Sequence, residues 1–308
     1  MNINELKEVL VGIICCPFCS GELSWQDKLV CNKCGDTYPI NKENHQIDLR
    51  LRRPKEIQLK QLINNDTNAF HKKTYNGVYS YNFGYELNNN GIDFSSMPIA
   101  KRNRKPVDKL YSWLPLNGGI ALDIGSANDS RNKAYLQLAG FNYITVDYDS
   151  SDAMLLADAH SLPFRESSFD CITNLAVMEH VEFPHIAGRE FFRILKKNGR
   201  MLGVVAFLQQ QHMSSWYHFT HYGVYSWLIN AGFIEQKIKI GAADKKYHGI
   251  FNTASLIGLP NWIKNSLLHP IYFLHRLLWN IYSIKSGKNM EKQRHLQTAG
   301  AHHFIAEK

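Results

Sequence analysis

The chain has no glycine-rich phosphate loop, no long hydrophobic run and no cationic leader ahead of a clean apolar stretch. Each absence excludes something. Without a run of about 18 uncharged apolar residues, a membrane-spanning helix is not expected. The opening MNINELKEVLVGIICC places Glu5 and Glu8 among its apolar positions, so a secretory signal is not expected either. Cysteine is scarce outside one stretch: five of six lie between residues 15 and 34. The expected compartment is therefore the cytosol, where clustered thiols bind metal more often than they pair. What the chain does have is 44% apolar and 20% charged residues over 308 positions, enough for one large domain or two modest ones. The 35 basic and 27 acidic residues leave a net charge of +8, which favours an anionic partner without fixing a fold.

Four of the clustered cysteines form two pairs, Cys16-Pro-Phe-Cys19 and Cys31-Asn-Lys-Cys34. A C-x-x-C turn aims two thiolates at one ion, and two such turns complete a tetrahedral site with no open position. Between them, Gly21 to Val30 alternates like a strand hairpin around Gln26-Asp27-Lys28. The expectation is a structural Zn2+ on Cys16, Cys19, Cys31 and Cys34, with Cys15 a bystander. Together with Tyr38-Pro39-Ile40, this stretch resembles the Trm112-like zinc-ribbon family, whose members accompany methyltransferases as partners or fused modules. The ending Asn44-His-Gln-Ile-Asp-Leu49 departs from that family's usual pattern.

Residues 50–60 (RLRRPKEIQLK) read as a solvated connector, and 64–105 as irregular structure with a helix or two, ending in the basic run Lys101–Lys105. From 120 onward the pattern alternates. Strands are expected at 120–125, 143–148, 154–157, 170–176, 200–207, 235–241 and 302–307, and helices near 129–139, 185–197 and 221–231. Such alternation implies an α/β fold, a Rossmann-like parallel sheet covered on both faces.

The stretch ALDIGSANDSR (121–131) is a buried strand, a glycine turn and a helix start, yet it lacks the repeated glycines that let backbone approach a pyrophosphate. Its carboxylates would repel phosphate and suit a cation. S-adenosyl-L-methionine, with an ammonium and a sulfonium, fits such a turn better. Asp147 then ends the second strand, where a carboxylate can accept from ribose hydroxyls, and Asp158 follows the third.

The ordered set LDIG, Asp147, DAHSLPF, SFD, MEHV and RILKKNG resembles the class I S-adenosylmethionine-dependent methyltransferases, in particular methyltransferase type 11. The resemblance implies a seven-stranded sheet. It also implies that Asp123, Gly125, Ser126 and Ala127 surround the methionine moiety and that Asp147 binds ribose. Asp158 and Ala159 would meet adenine, and Asn174 would sit beneath the donor. Ala127 stands where a glycine is usual, and the helix after Asp147 looks truncated. The implied units are a ribbon (1–50), a linker and capping segment (51–105), a core (106–246 and 296–308) and an apolar insertion (247–295).

Methyl transfer needs an aligned acceptor and sometimes a base. His218 and His180 are the candidates, with His212, His221, Tyr217 and Tyr222 nearby. No Asn-Pro-Pro-Tyr follows the fourth strand, which weighs against methylation of the adenine amino group. In the insertion, Leu267, Ile271, Leu274, Leu278 and Ile281 repeat at helical spacing. A lid helix over the acceptor cleft or a dimer face is the first expectation, and an amphipathic helix peripheral to a membrane the second. The expected acceptor is a small molecule, a glycan or a lipid-linked group. Transfer or ribosomal RNA is the alternative partner, and a donor-binding protein without catalysis the third class.

Overall fold

In the alternating half of the chain the apolar runs become strands, and several carry a polar residue at or near the carboxyl end, Asp123, Asp147 and Asn174 among them. The computed structural model describes residues 3–60, 78–83, 110–111, 113–115, 118–126, 130–211, 214–243, 249, 258–286 and 291–308. Ala127, His212 and Lys101–Lys105 lie outside them. The sheet is built from β7 (Gly119–Ile124), β8 (Phe141–Asp147), β9 (Leu155–Leu156), β10 (Phe169–Leu175), β11 (Leu195–Ala206), β12 (Lys239–Ala242) and β13 (Ala301–Glu307). Their order across the sheet is β12-β13-β11-β10-β7-β8-β9, all parallel except β13, which runs antiparallel to both neighbours. The carboxyl ends of the parallel strands and the amino end of β13 therefore share one edge.

Helix α2 (Ser130–Leu138) follows β7, α3 (Pro184–Ile194) precedes β11, and α4 (His221–Ala231) follows it. The bounds of α4 come from its caps. Thr220 Oγ1 accepts from Gly223 N at 3.0 Å, and Gly232 closes the helix at φ 110°. Loss of that N-cap costs about 1 kcal/mol in typical helices. Three boundaries move by three residues or more from the sequence expectation: the end of α3, the start of β11 and the start of β12. Helix α3 stops at Ile194 because Leu195 already pairs with Phe169. Residues 235–237 form a single 3₁₀ turn, so β12 begins only at Lys239.

The amino-terminal segment does not stand apart. Helix α1 (Ile3–Leu10) leads into a three-stranded ribbon of β1 (Leu23–Trp25), β2 (Lys28–Cys31) and β3 (Thr37–Pro39). The next strand, β4 (Ile47–Asp48), then joins the large sheet in parallel beside β9 as an eighth strand. Cys15 N donates to Pro163 O at 2.9 Å, Arg165 N to Ile13 O at 2.6 Å and Ser161 Oγ to Pro17 O at 2.6 Å. Leu10, Tyr38 and Ile47 share one apolar cluster with Ile144, Leu155 and Phe164. Residues 50–60 are more than a solvated connector. Leu51 is buried, Lys55 Nζ donates to Pro17 O and Ser161 Oγ, and Lys55–Lys60 forms β5, antiparallel to β6 (Val78–Phe83). The insertion contributes α5 (Asn261–Ser286) and α6 (Glu291–Thr298).

Candidate functional site

At the end of β7 the chain turns at Gly125, where φ is +68° and an added Cβ would lie 2.1 Å from Val177 Cγ2. Only glycine meets both demands. Gly125 N donates to Val146 O at 2.8 Å, which fixes the turn against β8. Just before it, buried Asp123 accepts from Asn132 Nδ2 at 3.1 Å and from Thr173 Oγ1 at 2.7 Å. Asn132 in turn accepts from Tyr111 Oη. This chain of bonds ties the first turn of α2 to β7 and β10. Asp123 is thus a brace within the site as well as a charge at its base. Ser126 Oγ is buried without a hydrogen-bond partner.

Asp147 ends β8 and accepts from Asp149 N and Ser150 N, both at 3.2 Å, so its carboxylate stays at the strand tip. Burial and the adjacent Asp147 charge raise the pKa of Asp149 above the usual carboxylate value. The helix expected to be truncated after β8 is replaced by the ribbon's exit. Gln46 Nε2 donates to Ser150 O at 2.8 Å and Ala153 O at 2.7 Å, and Asn44 Nδ2 to Ser151 O at 3.4 Å. Arg50, ion-paired with Asp48 at 2.8 Å, lies 5.7 Å from the Tyr148 ring centre.

After β9, Asp158 is buried. Its Oδ1 meets His160 N at 2.9 Å and His160 Nδ1 at 2.6 Å. Because Phe183 N donates to His160 Nε2 at 3.1 Å, the ring proton sits on Nδ1 and points to Asp158. That leaves Asp158 Oδ2 buried with no partner. Ala159 follows, half-buried at the same loop. On β10, Asn174 is fully buried opposite Ile124 in register, and neither its Oδ1 nor its Nδ2 has a partner. Buried polar atoms are nearly always bonded, so orphans on Ser126, Asp158 and Asn174, at the ends of three strands, mark a place built for a polar ligand.

The aromatic loop after β11 folds back on the turn Met178–His180. Trp216 N donates to Glu179 O at 2.7 Å and Tyr217 Oη to Glu182 O at 3.0 Å. His180 is half-buried there, whereas His218 is exposed. One residue escaped the sequence reading. His302 opens β13 at the same edge, fully buried, with both ring nitrogens unpartnered. It stacks on Phe207 at 5.0 Å and meets the His221 ring edge-on at 5.8 Å. The alternation His302, Phe304, Ala306 was the available signal, since all three point inward.

In the ribbon, the sulfurs of Cys16, Cys19, Cys31 and Cys34 lie within 4.8 Å of one another. Cys16 to Cys34 is 3.7 Å and Cys19 to Cys31 is 3.5 Å. A tetrahedral ion with bonds of about 2.3 Å needs sulfurs about 3.8 Å apart, so the group fits zinc with no position left open. Gly21 is required beneath it, because a Cβ there would approach Cys31 Sγ at 2.9 Å. Burial opposes ionisation of Cys31, but the backbone N–H groups of Cys34 and Lys33 outweigh it and hold the thiol at about 7. Cys15 is outside the group, and burial pushes its pKa up to about 11.

Residues 121–203 match the family described as "Methyltransferase domain", and residues 7–43 match "Trm112p-like protein". No curated protein matches the chain. Among solved structures, the phosphoethanolamine N-methyltransferase 2 of Haemonchus contortus, in complex with S-adenosyl-L-methionine, is 18% identical. The alignment covers 66% of this chain and 51% of that one, with a TM-score of 0.41. This chain therefore spans about half the length of that enzyme. The complex between the Haloferax volcanii Trm112 methyltransferase activator and its putative methyltransferase partner is 15% identical. It covers 66% and 88% of the two chains, with a TM-score of 0.44. The 1,6-didemethyltoxoflavin-N1-methyltransferase of Burkholderia thailandensis is 14% identical, covering 67% and 79%, with a TM-score of 0.39.

Proposed function

We propose that this chain, with its methyltransferase domain and its Trm112-like ribbon, is an S-adenosylmethionine-dependent methyltransferase acting on a small-molecule, glycan or lipid-linked acceptor. The observation that carries the reading is the set of orphaned buried polar atoms on Ser126, Asp158 and Asn174 beside the Gly125 turn and the Asp147 tip. Each has a matching demand in the donor. Asp147 would accept from the ribose hydroxyls, and Asp158 Oδ2 from the adenine amine. The Asn174 amide would lie under the methionine portion, with Ser126 and Ala127 flanking it and Asp123 supplying negative charge to the ammonium. Ala159 would line the adenine ring.

When bound, the donor supplies a methyl group on a sulfonium, open to direct displacement. The chain's own part is to fix the acceptor in line and to take its proton where one leaves. His218 and His180, on segments tied together through Glu179 O, are the groups we assign to that proton, and His302 is a third polar group on the same side. The four cysteines would hold Zn2+ as a fold-stabilising ion, away from the transfer. The RNA reading rests on overall charge, on the ribbon and on Lys101–Lys105, which lies outside the described residues.

Calorimetry with S-adenosyl-L-methionine tests the assignment. Binding should be measurable in the wild type and weaker by about tenfold or more in Asp147→Ala, the worth of a lost charge-assisted hydrogen bond. No binding at millimolar ligand by folded protein, or equal binding in the variant, would sink the donor site.

A further inference from the structure

Helix α5 is built inside out. Of its side chains Tyr272 is buried, packed under the Arg294 guanidinium of α6 at 5.6 Å. The inward positions beside it are His275, Trp279 and Ser283, joined by Trp279 Nε1 donating to His275 Nε2 at 2.9 Å and Ser283 Oγ to Trp279 O at 2.9 Å. The apolar residues face away. Leu267, Ile271, Leu274, Leu278 and Ile281, the stripe expected to cover a cleft, are all 43% exposed or more, and Phe273 and Ile284 reach 69% and 82%. At ideal helical spacing these residues occupy roughly half the circumference. An exposed apolar surface of that extent marks an interaction face.

Charge identifies what covers it. Residues 245–290 contain six Lys or Arg and not one Asp or Glu. On α5, Lys264 borders the apolar arc in the first turn, Lys285 extends it in the last turn, and Arg276 lies on the polar side. A second copy of this face, paired about a two-fold axis, would bring cations to cations with no carboxylate between them. A spanning role fails as well, since no described helix is long and apolar enough to cross a membrane, and Pro270, His275 and Arg276 interrupt this one. An apolar arc with a lysine near each end, Lys264 and Lys285, and with aromatic Trp262 and Tyr282 exposed toward its ends, is the pattern of a helix lying in a lipid headgroup region. The helix is also rooted where that would matter. It leaves the sheet after Ala242 and returns at Ala301, both on the edge that carries Gly125, Asp147 and Asn174.

We propose that α5 docks in the interface of an anionic lipid bilayer and holds the carboxyl edge of the sheet toward it. The inference goes beyond the donor-site reading and does not depend on it, because docking requires no donor. The test is flotation of the full chain with vesicles of phosphatidylcholine, with and without phosphatidylglycerol. Binding is expected on the anionic vesicles and should fall with added salt. Leu274→Glu with Leu278→Glu should abolish it. Lys264→Gln with Lys285→Gln, which leaves the apolar face intact, should weaken it by about tenfold or more. Circular dichroism and donor calorimetry on both variants separate loss of docking from loss of fold. Failure of the wild type to float with anionic vesicles overturns the proposal. So does equal binding to neutral vesicles, unchanged binding in folded variants, or a dimer in solution that the double Glu variant splits.

Discussion

At the scale of single residues, His302 concentrates the most unmet chemistry. Burial first, and then the neighbouring His221 and His303, lower its pKa from 6.5 to about 4. The folded state therefore resists a proton that the unfolded chain accepts below about pH 6.5. Stability contributed by the neutral ring is complete above that pH and is lost as pH falls toward 4. Across this window the wild type should lose about 3 kcal/mol more than His302→Phe, which keeps the ring stack on Phe207 and cannot titrate. Thermal melts of both proteins between pH 4 and 7 check this, and parallel profiles would show that His302 protonates without cost. Asn174, the orphan on β10, does not titrate.

At the scale of elements, the stretch Asn44–Arg50 does the work of a missing helix. It bonds Ser150, Ser151 and Ala153 and adds β4 beside β9, so the loop carrying Asp147 is held from the ribbon side. Gln46→Ala removes two hydrogen bonds at once without altering any residue proposed to bind the donor. Donor affinity should fall by about three- to tenfold and the melting temperature by a few degrees, since each bond is worth about 1 kcal/mol. Unchanged calorimetric affinity would mean that the loop holds its shape unaided. This was the least legible part of the fold. Strands β7, β8 and β10 announced themselves as apolar runs with a polar residue at or next to the end, and the cysteine pairs by their spacing. The two residues of β4 carry no periodic signal, and their partner lies more than a hundred positions away. The alternation of Lys55–Lys60 was masked by charge. The stripe on α5 was plain in the sequence, but periodicity says only that a helix has an apolar face, not whether that face meets the protein.

At the scale of the whole molecule, ribbon and sheet share one apolar core, so the four-cysteine group and the proposed donor residues are expected to unfold together. Removing zinc with a chelator, or Cys34→Ser, should lower the temperature of a single unfolding transition and weaken donor binding with it. Two separate transitions, with the donor site intact after the first, would show independent modules. The same arrangement has a temporal side. Gln46 and Ser150 are 104 residues apart, and at synthesis rates of about 5–20 residues per second the ribbon waits several seconds for the strand it will cover. Leu10, Tyr38 and Ile47 meet Ile144, Leu155 and Phe164 only after that interval. An apolar face left uncovered for so long is open to other nascent chains, and the short parallel pairing of β4 with β9 is what finally closes it.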